Sequence, residues 1–113
     1  MHELSVVSSI VKTAKQEVEK INGKKVLEIY LEIGKLSGFE MDSFHFVWPQ
    51  CINNSVLENA TLFIDEPLGK AKCAECGNEF AVEKLFDSCP KCNSPFKEIL
   101  VGKELKIKKL IIK

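Results

Sequence analysis

Four cysteines form the pattern in this chain with the clearest chemical meaning. Cys73 and Cys76 make one Cys-x-x-Cys pair, Cys89 and Cys92 make a second, and residues 77–88 separate the two pairs. Both sulfurs of such a pair can face one point, so two pairs can surround one ion with four thiolates. A tetrahedral set of four thiolates is typical of a Zn²⁺ site. The sequence therefore predicts a zinc site made of these four cysteines.

The residues beside the cysteine pairs favour the same interpretation. Gly77 follows the first pair and Asn93 follows the second, and both residue types tolerate the positive φ angle with which such turns close. No histidine lies within or beside the pairs, so the predicted ligands are all thiolates. Because four protein ligands leave no place on a tetrahedral ion for water or substrate, we expect a structural zinc rather than a catalytic one.

Thiol redox chemistry and disulfide bonds are the two alternatives for these cysteines. Two pairs at metal-site spacing disfavour redox chemistry, which is the usual interpretation of a single Cys-x-x-Cys pair. The chain opens without a basic and then apolar leader, which indicates a cytoplasmic protein whose thiols stay reduced. The fifth cysteine, Cys51, is expected to act as a small apolar side chain in the core.

A second group of potential metal ligands stands at the start of the chain. The α-amine of Met1 and the amide nitrogen and imidazole of His2 can close fused chelate rings on one ion, and Glu3 adds a carboxylate or an amide nitrogen. Nitrogen-rich, near-planar donors of this kind favour Ni²⁺ or Cu²⁺ over Zn²⁺. A histidine at a chain end is more often a solvated residue, so the residues alone leave both interpretations open. The other histidine, His45, is expected to pack or to face solvent.

The composition disfavours several classes of function. Sixteen basic and sixteen acidic residues give the 113-residue chain a formal net charge of zero. Between residues 70 and 100 the lysines are Lys70, Lys72, Lys84, Lys91 and Lys97, and the acids are Glu75, Glu79, Glu83, Asp87 and Glu98. Nucleic-acid binding usually needs a basic excess, so we expect no nucleic-acid partner. Apolar runs are too short to span a bilayer, and no catalytic triad, P-loop or dinucleotide motif occurs, so we expect neither a membrane partner nor an enzyme.

Hydrophobic periodicity predicts two helices. Steps of three and four residues predict a first helix, whose apolar stripe is Leu4, Val7, Val11, Ala14, Val18 and Ile21. We expect Asn22-Gly23 to end this helix, with the glycine in the left-handed cap. A second helix is predicted over residues 41–53, with a kink or a boundary at Pro49.

Alternating patterns predict three strands, and with them the fold. The inward side chains of the first strand are Leu27, Ile29, Leu31 and Ile33. Residues 61–66 and 103–113 supply two more strands. The predicted class is α+β, a small three-stranded sheet with two helices plus an inserted four-cysteine zinc-ribbon module. We expect a domain over residues 1–69, completed by the strand 101–113, and a zinc-binding domain over residues 70–100.

Longer motifs resemble those of one known family. The chain reads MHELSVV at residues 1–7, EIGKLSG at 32–38, SFHFVW at 43–48 and GKEL at 102–105. Together with the cysteine spacing, these motifs resemble the HypA/HybF family of hydrogenase maturation nickel metallochaperones over essentially the whole chain.

That resemblance implies a carrier of Ni²⁺ with a structural and regulatory Zn²⁺. It implies nickel binding at Met1, His2 and Glu3, with Glu40 added by its position after the Gly-x-x-Ser motif. It also implies delivery to the large subunit of [NiFe] hydrogenase, together with a maturation GTPase and extending to urease maturation. A monomer or weak homodimer is expected. Some family members recruit a histidine near the zinc cysteines, and residues 70–100 contain none, so that feature does not transfer. The alternative function is a zinc-stapled docking module that binds protein or nucleic acid.

Overall fold

Two helices and two small sheets make up the part of the chain that the structure describes. This computed structural model describes residues 3–113. In chain order the elements are α1 (Glu3–Lys20), β1 (Val26–Ile33), α2 (Met41–Ile52), β2 (Thr61–Asp65), β3 (Gly69–Cys73), β4 (Glu79–Val82), β5 (Lys97–Val101) and β6 (Leu105–Ile112). Neither helix in residues 3–113 is both long and apolar enough to cross a bilayer.

The chain divides into two units, each with its own internal contacts. The first, here called the helix unit, comprises residues 3–31, Phe39–Ile64 and Ile107–Lys113. The second, here called the cysteine unit, comprises Glu32–Gly38 and Asp65–Lys106. The four cysteines and the whole stretch 70–100 lie within the cysteine unit.

The first helix follows the predicted period, but its buried face is shorter than predicted. Val7, Ala14 and Val18 are buried, whereas the side chains of Leu4 and Ile21 are 60% and 63% exposed. The prediction that Leu4 and Ile21 belong to the core stripe was therefore wrong. Leu4 lies in the first turn of α1, and Ile21 lies just past its last residue, so the stripe is covered only between its ends.

The end of the first helix has a cap of the Schellman type. The N–H of Gly23 donates to the carbonyl of Val18 at 2.8 Å, and the N–H of Asn22 donates to the carbonyl of Glu19 at 3.2 Å. Asn22 has a φ of 55°, so asparagine and not the predicted glycine occupies the left-handed position. Gly23 lies one residue later, where a side chain would press against Ile112.

The first sheet has the strand order β2-β1-β6. Ile29, Leu31 and Ile33 of β1 are buried as predicted, but Leu27 is 41% exposed and Val26 is buried in its place. The prediction that Leu27 faces inward was wrong because the alternation changes phase between Val26 and Ile29. At this end of the strand, the N–H of Val26 donates to the carbonyl of Val56 at 3.0 Å.

The second helix runs through Pro49 and ends at Ile52. Phe44 and Trp48, one turn apart, are its buried residues, and their ring centroids lie 5.4 Å from each other. α1 and α2 also contact each other. The buried core of the helix unit consists of Val7, Ala14, Val18, Val26, Ile29, Leu31, Phe44, Trp48 and Leu57.

The cysteine unit contains a second, antiparallel sheet of order β4-β3-β5. Ala71 of β3 pairs with Phe80 of β4 and with Ile99 of β5. The buried cluster of this unit is Leu36, Ala71, Cys73, Phe80, Val82 and Cys89. The structure thus confirms the predicted α+β class, with two helices, small sheets and four cysteines clustered for a metal.

Candidate metal centres

The four cysteine sulfurs form one cluster whose dimensions suit a tetrahedral ion. All four Sγ atoms lie within 4.8 Å of one another. The Sγ atoms of Cys73 and Cys92 are 3.5 Å apart, and those of Cys76 and Cys89 are 3.7 Å apart. A regular tetrahedron with Zn–S bonds of about 2.3 Å separates its sulfurs by about 3.8 Å. The cluster therefore has the size that Zn²⁺ requires.

Two similar turns hold the sulfurs in place. In the first turn, the N–H of Gly77 donates to the carbonyl of Cys73 at 3.1 Å. In the second, the N–H of Asn93 donates to the carbonyl of Cys89 at 2.8 Å. Gly77 and Asn93 have φ angles of 74° and 62°, as predicted from their residue types. The N–H of Cys76 also donates to the Sγ of Cys73 at 3.4 Å.

Two short polar residues close these turns, and neither was among the predicted site residues. The carbonyl of Asn78 accepts the N–H of Cys73 at 2.8 Å, and the carbonyl of Ser94 accepts the N–H of Cys89 at 3.0 Å. Asn78 follows Cys76 by two residues, and Ser94 follows the last cysteine by the same offset. That repeated offset of a short polar residue is the sequence signal that could have identified them.

Electrostatics explain why the cluster needs a cation. Burial alone would raise the pKa of the Cys89 thiol, but N–H groups of Cys92 and Lys91 and the Asn78 amide outweigh it and lower the pKa to about 6. For Cys92 the N–H of Ser94 lowers the pKa, but hydrogen bonding with the Cys73 sulfur and burial raise it to about 12. Four adjacent thiolates repel one another, so a protein without metal retains protons that a dication would displace.

The predicted nickel ligands lie partly outside the described residues. Met1 and His2 are outside residues 3–113. Glu3 begins α1 and is 9% exposed, and its Oε2 accepts a hydrogen bond from the backbone N–H of Glu40 at 3.1 Å. Glu40 is exposed, and although it is the N-cap residue of α2, its side chain makes no cap hydrogen bond. The two predicted carboxylate ligands therefore belong to residues in direct contact.

Within residues 3–113, the remaining candidate residues join no group of metal ligands. His45 is exposed on α2, and its ring lies edge-on to Phe44 with centroids 5.4 Å apart. Cys51 is half-buried near the end of the same helix and carries a free thiol. Within residues 3–113, the four cysteines are the only group of three or more histidine, cysteine or acidic residues close enough to hold an ion together.

Comparison with known proteins agrees with this geometry. The family model described as "Hydrogenase/urease nickel incorporation, metallochaperone, hypA" matches residues 1–112. A hydrogenase maturation factor HypA from Francisella philomiragia is 40% identical over 111 residues, which are 98% of each chain. One from Trichormus variabilis is 43% identical over 110 residues, or 97% of this chain and 94% of that one.

A solved structure of the same family has a similar fold. The solution structure of the Ni metallochaperone HypA from Helicobacter pylori superposes with a TM-score of 0.70 at 26% identity. The match covers 99% of this chain and 97% of that one. This chain belongs to the HypA family of hydrogenase/urease nickel-incorporation metallochaperones. Membership confirms the resemblance found in the sequence, and it makes the chain a metal carrier for hydrogenase maturation and not an enzyme.

Proposed function

We propose that this chain binds Ni²⁺ at its N-terminus and delivers the ion for maturation of [NiFe] hydrogenase, while its four cysteines hold Zn²⁺. The observation that carries the nickel proposal is the hydrogen bond of 3.1 Å between the Glu3 carboxylate and the Glu40 amide. It fixes one proposed ligand directly after His2 and keeps a second acidic residue beside it. In this proposal both acidic residues contribute to an ion held by the first two residues, and the contact between Glu3 and the Glu40 backbone supports it.

The nickel donors have the chemistry of a carrier. We assign the Met1 amine and the amide and imidazole nitrogens of His2 as the nitrogen donors, with Glu3 and Glu40 as oxygen donors. Nitrogen donors of this type favour Ni²⁺ over the hard cations. The α-amine, whose ordinary pKa is about 7.7–8.0, must lose a proton to bind, so nickel affinity falls as the pH falls. Mild acidification therefore favours release to a tighter acceptor.

Delivery proceeds by ligand exchange in this proposal. A docked partner replaces the donors of the N-terminus one at a time, so that no free nickel appears. By family resemblance, the partners are a maturation GTPase and the large subunit of [NiFe] hydrogenase, acting in the cytoplasm where thiols stay reduced. The family description also names urease, so the same carrier is proposed to serve urease maturation.

The zinc is proposed to have a structural role. The sulfur separations of 3.5 and 3.7 Å suit a zinc tetrahedron, and four protein ligands would leave no open position on the ion. The metal would tie the turn after β3 to the turn before β5, and so hold the cysteine unit together. A regulatory role would follow if the loss of zinc also changed nickel delivery.

The two histidines of the chain offer a matched test of the nickel site. His2→Ala should abolish tight nickel binding in a calorimetric titration and leave one bound zinc and the fold unchanged. His45→Ala should bind nickel like the parent, because His45 is exposed on α2 and joins no cluster of ligands among residues 3–113. Tight nickel binding by His2→Ala would refute the proposed site, and loss of binding in His45→Ala would move the site to α2.

A further inference from the structure

Each cysteine pair contains one buried and one exposed residue. Cys73 and Cys89 are buried, whereas Cys76 and Cys92 are exposed. The sulfur contacts of 3.5 and 3.7 Å each join a buried cysteine to an exposed one from the other pair. Two of the four ligand residues are thus exposed to solvent, and the other two are buried.

One residue contacts both buried cysteines. The Nδ2 atom of Asn78 donates to the Sγ of Cys89 at 3.7 Å, and the backbone carbonyl of Asn78 accepts the N–H of Cys73 at 2.8 Å. Within residues 3–113, no other side chain outside the four cysteines donates a hydrogen bond to one of their sulfurs. Asn78 thus contacts the buried member of each pair.

The equivalent residue of the second turn lacks this contact. Ser94 stands at the same offset after its cysteine pair, and its carbonyl accepts the N–H of Cys89 in the same way. Its hydroxyl instead accepts a hydrogen bond from the N–H of Phe96 at 3.2 Å. The backbone hydrogen bonds of the two turns are therefore alike, and the side-chain hydrogen bond to sulfur is particular to Asn78.

A hydrogen bond to a thiolate ligand holds the sulfur in position and reduces its tendency to leave the metal. Loss of such a supporting contact typically changes metal affinity by about 10–100-fold. Exposed thiolates, in contrast, can be reached by protons, chelators and electrophiles. We propose that Asn78 positions the Cys89 sulfur, so that metal exchange at the four-cysteine site begins at Cys76 and Cys92 and ends at Cys89. This inference rests on the zinc site of the proposed function.

Zinc release gives the first test. Asn78→Asp keeps the shape of the side chain and removes the donor, and the φ of Asn78 is not positive, so the backbone accepts the change. With one zinc bound at the start, transfer of zinc to the chelator 4-(2-pyridylazo)resorcinol should accelerate about tenfold or more. Ser94→Ala is the matched control, because it also loses a side-chain hydrogen bond in a turn but none to sulfur, and it should release zinc at the parent rate. Release from Asn78→Asp at the parent rate would overturn the inference.

The order of thiol modification gives a second readout that a general loss of stability would not reproduce. Zinc-loaded protein is treated briefly with N-ethylmaleimide and digested, and the modified cysteines are identified by mass spectrometry. Cys76 and Cys92 should react before Cys73 and Cys89, and Asn78→Asp should selectively accelerate Cys89. Modification of Cys89 in the parent as early as Cys76 would contradict the proposed order. A parent that binds no zinc would overturn the zinc site as well, whereas a zinc-bound parent insensitive to Asn78→Asp would overturn this inference alone.

Discussion

Chelation of the zinc is predicted to unfold β3, β4 and β5 while the helix unit stays folded. The buried cluster of the cysteine unit has only three large apolar members other than cysteine, namely Leu36, Phe80 and Val82. Burial of such side chains contributes about 1.5–3 kcal/mol each, or about 5–9 kcal/mol together. Binding of zinc by four thiolates contributes roughly 10–16 kcal/mol, so the metal supplies the larger share.

The helix unit has a larger core and its own optical probes. Its buried residues include Ile29, Leu31, Phe44 and Leu57, and the single tryptophan of the chain, Trp48, is buried among the residues of the same unit. The single tyrosine also belongs to this unit. Tryptophan and tyrosine fluorescence therefore reports on the helix unit alone.

Hydrogen exchange measured by mass spectrometry, with and without a chelator, provides the assay. The amides of β3, β4 and β5 should lose their protection when zinc is removed, while the emission of Trp48 and the protection of α1 stay unchanged. Cys51→Ser should behave like the parent, because its thiol lies outside the sulfur cluster. Retained protection of β3 in protein that metal analysis shows to be free of zinc would refute this reasoning.

Three smaller perturbations test other parts of the structure. Gly34→Ala should cost the cysteine unit about 1–3 kcal/mol or more in thermal unfolding, because its Cβ would overlap the Gly102 carbonyl, and an unchanged Tm would contradict this. Leu57→Ala should cost about 2–5 kcal/mol in urea unfolding followed by tryptophan fluorescence, since Leu57 is fully buried, and a loss below this range would mean that the site repacks. Two backbone N–H groups, those of Lys84 and Glu83, donate to the Asp87 carboxylate and lower its pKa. These hydrogen bonds should therefore stabilise the turn at neutral pH and be lost only below about pH 3.9. An NMR titration midpoint for the Asp87 carboxyl at or above that value would contradict this prediction.

Local patterns predicted the elements of the fold more accurately than their burial. The helical stripe and the alternation of β1 located both elements, because side-chain periodicity follows directly from backbone geometry. The exposure of Leu4, Ile21 and Leu27 depends on where neighbouring elements end, which the local pattern does not contain. The strands of the second sheet were not predicted, because they are only four or five residues long and the buried positions of β3, Gly69, Ala71 and Cys73, carry small side chains.

In the candidate sites, too, the local sequence predicted some features, and others depend on contacts that only the folded chain makes. The spacing of the four cysteines was sufficient to predict their cluster, because each Cys-x-x-Cys turn is local and the metal chemistry requires both pairs. The contact between Glu3 and Glu40 joins residues 37 positions apart, so only the folded chain reveals it. The Asn78 side chain likewise reaches Cys89 across the two turns, and no periodic pattern encodes that contact.

A nickel titration that compares the native N-terminus with a copy carrying two extra residues before Met1 tests the central claim most directly. The extension removes the α-amine from its place beside His2 and leaves every side chain of the chain intact. We predict that both proteins contain one zinc and that only the native N-terminus binds nickel tightly. Equal nickel affinity in the two proteins would contradict the proposed site and assign the metal to other residues of the chain.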